Sequence, residues 1–448
     1  MALVLILAAC TGPDGDLDGV TTAFGDDMAA APEVPDGPLD PRIANELTGL
    51  LTSALSEGLE AEALQEVATS GDARVAWLLA DLMRFVQSGE PAMRLATAFE
   101  RLTGLSPDAQ GSPDFVTATN RLIAWDLPAW PGYVELKRRL FTQVEPRWEP
   151  FFEGESSIDW RLVTWGGVPI DDRQLGDPNP CPRGCIPALD DPDTTPASEG
   201  GWYPDDRVVF GVVVGGEALA LPRNQMEIHE MVNLSLGGRR LGIPYCTLCG
   251  SAQGYLTDSV PTGFDPPVLR TSGLLSRSNK MMYDLNTFSV FDTFAGTALS
   301  GELGEAGVVL EQVTVVASTW GAWKKEHPGT RIIAEDGGIG RSYPSDPLQG
   351  RDDAGPIFPT GPVDPRLPVQ ELVVGVILPD GSALAFPVAP VRALLESGSR
   401  VTVDDVEAVL DGDGLRTLGP GGELISHQSY WFAWSQFHPG TAVWTPLP

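Results

Sequence analysis

The sequence predicts an α+β fold: a helical N-terminal domain followed by a mainly β, internally duplicated domain. Three observations predict it. Apolar residues recur at helical spacing through the early part of the chain, and β-branched runs broken by Gly, Pro and Asp take over from about residue 205. Within that second region, two sequence markers recur in the same order.

The chain has 448 residues, which suggests two or three domains, and 42% of them are hydrophobic, enough for a substantial core. The 50 Gly and 40 Pro point to long loops beside that core. Sixty-one acidic residues against 29 basic ones give a formal charge of −32. That balance opposes nucleic-acid and anionic-membrane binding, both of which need clustered Lys and Arg. No apolar run reaches the eighteen residues that a membrane span requires.

Residues 1–10 form the first element. The apolar run from Met1 to Ala9 ends in Leu7-Ala8-Ala9-Cys10 and resembles a bacterial lipoprotein signal, although it carries no Lys or Arg at its start. On this reading Cys10 becomes the lipidated N-terminus, and the protein faces the periplasm or the cell exterior, held to the membrane through its lipid alone. Residues 11–40 follow as a disordered acidic linker, with eight acidic residues from Thr11 to Asp40 and no Lys or Arg.

A helical domain is expected over 41–170. Asp40-Pro41 supplies an N-cap and a first-turn Pro, and Ile43, Leu47, Leu50, Leu51, Ala54 and Leu55 follow at helical spacing. Further stripes run through Val75, Leu78, Leu79, Leu82 and Val86, then from Met93 to Leu102, stopping at Gly104. Such a domain offers a surface for a protein partner.

The mainly β domain is expected over 180–448, with half-repeats at about 207–330 and 372–441. Val208 to Leu221 reads as a hairpin turning at Gly215-Gly216, and Val373 to Pro387 reads as its copy. Trp320-Gly-Ala-Trp323 followed by His327-Pro-Gly-Thr330 matches Trp431-Phe-Ala-Trp434 followed by His438-Pro-Gly-Thr441. Because both copies keep them, His327 and His438 read as structural. The first copy carries an extra segment, roughly 223–318, and function is expected there.

That segment holds Cys246-Thr-Leu-Cys249-Gly250. Two cysteines separated by two residues can aim both sulfurs at one point, as in metal knuckles. His229 is the first choice of further ligand: Arg223 to Leu234 reads as a short helix carrying Met226, His229, Glu230 and Asn233 along one side. Glu230 and Asn233 would orient the neighbouring groups. His-Glu-x-x-Asn departs from a zinc-protease helix at its fifth position, which argues against a metalloprotease. Thiolates with one imidazole suit copper or zinc, with copper ahead. Met281 and Met282 fit a core strand better than a thioether ligand. Cys181 and Cys185 are candidates for a local disulfide, or for joining the other pair in a site of four cysteines.

From about residue 185 onward the chain resembles the bacterial family known as domain of unknown function 3179. The resemblance rests on Ile186-Pro-Ala-Leu-Asp190, His229-Glu-Met-Val-Asn233, Tyr245-Cys-Thr-Leu-Cys-Gly-Ser251, Ser272-Gly-Leu-Leu275, Met282-Tyr-Asp284 and the element from Trp431 to Thr441. It implies that His229 and the Cys246/Cys249 pair belong to the family pattern, whereas Cys181 and Cys185 are particular to this chain. It supplies no reaction. Leu285 and Phe291 depart from the Arg and Trp usual there.

The expected function is therefore an exported, lipid-anchored protein binding copper or zinc through Cys246, Cys249 and His229. A thiol–disulfide oxidoreductase using the same cysteines is one alternative, and a structural or adaptor protein with a disulfide there is another. No phosphate loop or dinucleotide fingerprint stands out, so no nucleotide cofactor is expected, and no catalytic residue is assigned.

Overall fold

In the computed structural model, residues 20–21, 27–28, 30–53, 59–109, 111–177, 181, 183–352 and 355–446 are described. The lipidation expected at Cys10 lies outside them. Of the acidic stretch before the first helix, Val20–Thr21 pairs with Asp27–Met28 in a two-residue ladder. No helix among the described residues is long and apolar enough to cross a membrane.

The α+β architecture is as the sequence indicates. Helices Pro41–Ser53, Ala61–Ala68, Ala76–Phe85, Gly89–Thr103, Phe115–Ala124 and Tyr133–Val144 form the N-terminal region. The first begins where Asp40 accepts the Arg42 N–H at 2.8 Å; the fourth ends on Gly104 in the left-handed region, a conformation glycine adopts without a Cβ clash. Their buried faces share one core, built on Leu47, Leu78, Phe99, Leu140 and Trp148.

That core does not stop at the expected boundary near residue 170. It runs on into Leu274, Met281 and Tyr283 of the hairpin Leu269–Ser276/Asn279–Asp284. Strand Val163–Trp165 extends the same hairpin, pairing Trp165 with Leu274. The Trp148 indole N–H donates to Ser272 O at 2.8 Å. Tryptophans near the end of a helical region bury most of their area against whatever lies next, and here that is the hairpin.

The duplicated part is built on a nine-stranded sheet. Its order is Ala442–Val443, Ala383–Pro387, Leu372–Ile377, Ser426–Tyr430, Val315–Thr319, Val208–Val214, Glu217–Pro222, Arg331–Ile333 and Thr194–Pro196. Each half repeats one pattern. An antiparallel hairpin (Val208–Val214/Glu217–Pro222 or Leu372–Ile377/Ala383–Pro387) leads into a helix, Arg223–His229 or Val388–Glu396. A strand then returns beside the hairpin, Val315–Thr319 or Ser426–Tyr430, and runs into the Trp helix, Trp320–Glu326 or Trp431–Phe437. The halves join where Val315 pairs in parallel with His427.

One lock holds both Trp helices. Trp323 Nε1 donates to Thr330 Oγ1 and Trp434 Nε1 to Thr441 Oγ1, each at 3.0 Å. Each indole lies on a glycine of the central strand: a Cβ on Gly211 would fall 2.4 Å from the Trp323 ring, and one on Gly375 2.2 Å from the Trp434 ring. His327 and His438 pack at a tilt against these tryptophans, with ring centres 4.0 and 4.2 Å apart, and so belong to the scaffold. Gly375→Ala is expected to cost about 1–3 kcal/mol by overpacking. Thermal denaturation checks this; an unchanged midpoint would mean that the indole moves freely.

Each half also carries an insertion at the same point, between its helix and its returning strand. In the second half it is a four-stranded meander over Val401–Val403, Val406–Asp411, Gly414–Gly419 and Gly422–Leu424. In the first half it is the hairpin shared with the helical region together with strands Met231–Leu236, Arg239–Cys246, Gly254–Leu256 and Glu311–Val313, whose sheet is completed by Leu189–Asp190, from earlier in the chain, beside Met231–Leu236. The cysteine pair stands at the end of Arg239–Cys246.

Candidate functional site

Strand Arg239–Cys246 runs into a single tight turn, Thr247–Cys249, and Gly250 reverses the chain in the left-handed region at φ 59°. The chain then pairs back, Cys246 opposite Ser251. Gly is required at 250 both for that backbone and for space, since a Cβ would meet the Tyr430 ring at 3.0 Å. Both cysteines are free thiols and buried, with exposures of 3% at Cys246 and 0% at Cys249.

Both sulfurs converge on one oxygen. Cys249 Sγ lies 3.3 Å and Cys246 Sγ 3.8 Å from Ser278 O, at the turn of the shared hairpin. From the Trp helix above, Gln436 Nε2 donates to Ser278 Oγ at 2.7 Å. Burial is the largest influence on each thiol and opposes ionisation. At Cys246 the hydrogen bond from Cys249, with backbone N–H groups of Lys280 and Cys249, outweighs it and draws the pKa below the ordinary thiol value. At Cys249, burial and the neighbouring Cys246 act together and push the pKa well above that value. The two thiols are therefore shifted in opposite directions, Cys246 down and Cys249 up.

Glu230 and Lys280 brace the loop from below. Thr247, between the cysteines, donates its hydroxyl to Glu230 Oε1 at 3.0 Å, and Lys280 Nζ stands 3.3 Å from Glu230 Oε2. Lys280 also donates to Glu230 O at 2.7 Å. Glu230 reaches this position because its φ is 50°, a left-handed conformation rare for a residue with a long side chain. The expected helix from Arg223 to Leu234 is therefore corrected: it spans Arg223–His229, and Glu230 turns the chain into strand Met231–Leu236. Polar atoms with no hydrogen-bond partner adjoin the thiol loop: Ser251 Oγ, both amide atoms of Gln253, Asn279 Oδ1 and Gln436 Oε1.

His229 does not join the thiols, and its expected role as a ligand is corrected. With Glu230 turned, its ring enters a different environment. Nδ1 donates to Pro187 O at 2.7 Å, which leaves Nε2 to accept the Tyr343 hydroxyl at 2.7 Å. Neither nitrogen keeps a lone pair for a metal. Burial lowers its pKa to about 4, against the pull of the Pro187 carbonyl, so the ring is neutral. Asn233, expected to orient the site, is likewise spent elsewhere. Its amide donates to Asp190 Oδ1 at 2.9 Å and to Leu269 O at 3.0 Å. Asp190 in turn clamps the buried Arg270 guanidinium with two bonds of 2.8 Å. Met281 and Met282 are core residues of the hairpin, and Phe291 is fully buried.

Cys181 and Cys185 are joined as a disulfide with Cα atoms 5.2 Å apart, so the four cysteines do not form one site. Beside them lies the buried Asp171 carboxylate, 3.6 Å from the Cys185 sulfur and 3.9 Å from that of Cys181. Among the described residues this is the one group of three His, Cys, Asp or Glu ligand atoms lying within 4.8 Å of one another. As a disulfide it offers no thiolate, and Asp171 is already held by Arg173 at 2.7 Å and by the Ala188 N–H at 2.8 Å.

Three stretches of chain thus come together by contacts far apart in sequence. Pro187 and Asp190 serve His229 and Arg270, Glu230 serves Thr247, and the cysteine loop closes on the hairpin turn. The family described as protein of unknown function (DUF3179) matches residues 183–418, just over half the chain. The chain belongs to that family. The DUF3179 match takes in all three stretches and ends inside the meander, before its last strand and the second Trp helix. No curated protein and no solved structure matches the chain.

Sequence reasoning missed Ser278, Lys280 and Gln436, which carry no motif. It also missed His427, whose signal was available. Counting back four residues from the paired tryptophans gives His427 before Trp431 but Val316 before Trp320. Burial pushes the His427 pKa down to about 3, with His438 lowering it further, and its Nε2 is enclosed without a hydrogen-bond partner.

Proposed function

We propose that this chain is an exported, lipid-anchored protein that holds a thiophilic ion, copper(I) ahead of zinc, between Cys246 and Cys249. The observation that carries the reading is the convergence of two buried sulfurs on Ser278 O, one of them inclined to ionise. The donor set fits a soft monovalent ion, which two thiolates satisfy. It fits zinc poorly, because a structural zinc site takes four ligands and, among the described residues, the two sulfurs form no group with a third His, Cys, Asp or Glu ligand atom in which all lie within 4.8 Å of one another. The bound ion would replace the thiol protons, and the surrounding side chains would keep water and competing ligands away. Lipid anchoring and export rest on the apolar run closing at Cys10, and the Cys181–Cys185 disulfide suits an oxidising compartment.

A second reading is favoured by the unequal thiols. A dithiol with one low and one high pKa can pass two electrons and two protons to a disulfide-bearing partner, becoming a disulfide itself. Exposures of 3% and 0% oppose direct attack by a protein partner.

Anaerobic titration of the full chain with copper(I) against a competing chelator separates the two. One equivalent should bind to the wild type and none to Cys246→Ser. No uptake by the wild type, with rapid oxidation of the pair by small disulfides, would replace ion binding by redox exchange.

A further inference from the structure

We infer that His427 supplies a third, imidazole ligand to the ion held by Cys246 and Cys249. The inference deepens the thiol-site reading and rests on it. The duplication provides the argument. At the matching place in the first half stands Val316, 1% exposed, so the scaffold asks only for an apolar side chain of moderate size. The second half instead buries a histidine to 6% exposure, with Nε2 unpartnered. Burying an imidazole nitrogen without a partner is unfavourable, and no hydrogen bond among the described residues compensates that atom.

Position identifies what it serves. The His427 ring meets Phe294 and Trp434 at centroid distances of 5.1 and 5.5 Å, and both rings share one packed cluster with Cys246 and Cys249. His438 touches the same two rings, but its counterpart His327 lies just as close to Trp323, whose packed cluster contains no thiol, so it belongs to the scaffold. His427 has no counterpart there. A neutral imidazole with a free ring nitrogen is the donor that a soft ion already held by two thiolates can add. The three ligand atoms do not form a group within 4.8 Å of one another in this conformation, so ligation requires the ring to swing inward as the ion binds. Ser251, Gln253, Asn279 and Gln436, with their own unpaired atoms near the thiol loop, make the surrounding polar rather than repellent to a cation.

The test is X-ray absorption at the copper edge on the full chain loaded with one equivalent of copper(I), alongside His427→Val, the residue type of the first half. The wild type should show two sulfurs and one nitrogen. The variant should show sulfur alone and lose roughly tenfold or more in affinity against a chelator. Without metal, His427→Val should melt no lower than the wild type, because valine suits the scaffold; a merely structural histidine would lower it. A wild type coordinated by sulfur alone overturns the His427 assignment and leaves the thiol site standing. A wild type that takes up no copper overturns both.

Discussion

Replacing Asp190 by alanine should destabilise the protein by about 3–5 kcal/mol, the usual consequence of stranding one member of a buried ion pair. Arg270 is 0% exposed, and Asp190 supplies both of its carboxylate bonds at 2.8 Å. Without them the guanidinium keeps the Leu269 and Arg173 carbonyls and a more distant Asp171 oxygen at 3.8 Å. The Asn233 amide loses a partner as well. Urea denaturation should show a lower midpoint at unchanged slope. The paired replacement Asp190→Leu with Arg270→Met should recover much of the loss, since it removes both charges together. A loss below about 1 kcal/mol in the single variant would mean that water reaches Arg270, and the clamp would then not organise this part of the fold.

His229→Ala is expected to cost about 2–4 kcal/mol, combining a cavity with two orphaned hydrogen-bond partners. The Pro187 carbonyl and the Tyr343 hydroxyl would both lose the ring that joins them. Hydrogen exchange should quicken around Tyr343, while copper(I) stoichiometry stays at the wild-type value. These two readouts separate a ligand from a strut. Loss of the ion from a folded His229→Ala protein would restore His229 to the donor set.

Much of the architecture could be read from residue order. Asp40-Pro41 opens a helix, Gly104 closes one, and the paired Trp-x-x-Trp elements mark the duplication because the indole of each needs a glycine beneath it and a threonine beside it. The cysteine loop was also legible, since Gly250 after the second thiol demands the turn observed. His229 was misassigned because the partners that occupy its ring, Pro187 and Tyr343, stand 42 and 114 residues away and carry no motif. Asn233 was misplaced because periodicity favoured a helix through it, and no local rule anticipates a glutamate in the left-handed region; once Glu230 turns, every side chain after it changes face. Motif residues look alike whether they clamp or coordinate. Asp190, Asn233 and Arg270 meet across long stretches of chain, and only the three-dimensional arrangement shows that their charges and amides satisfy one another.

The placement of the two insertions bears on how such a chain can diversify. Both halves open at the same joint, after the helix and before the returning strand, and close again on the same tryptophan lock. New sequence accepted at that joint leaves the nine-stranded platform untouched, so each copy works as a socket. One socket holds a small meander and the other a thiol-bearing module. Exchange of modules between sockets, or growth of either, would change chemistry without asking the platform to refold.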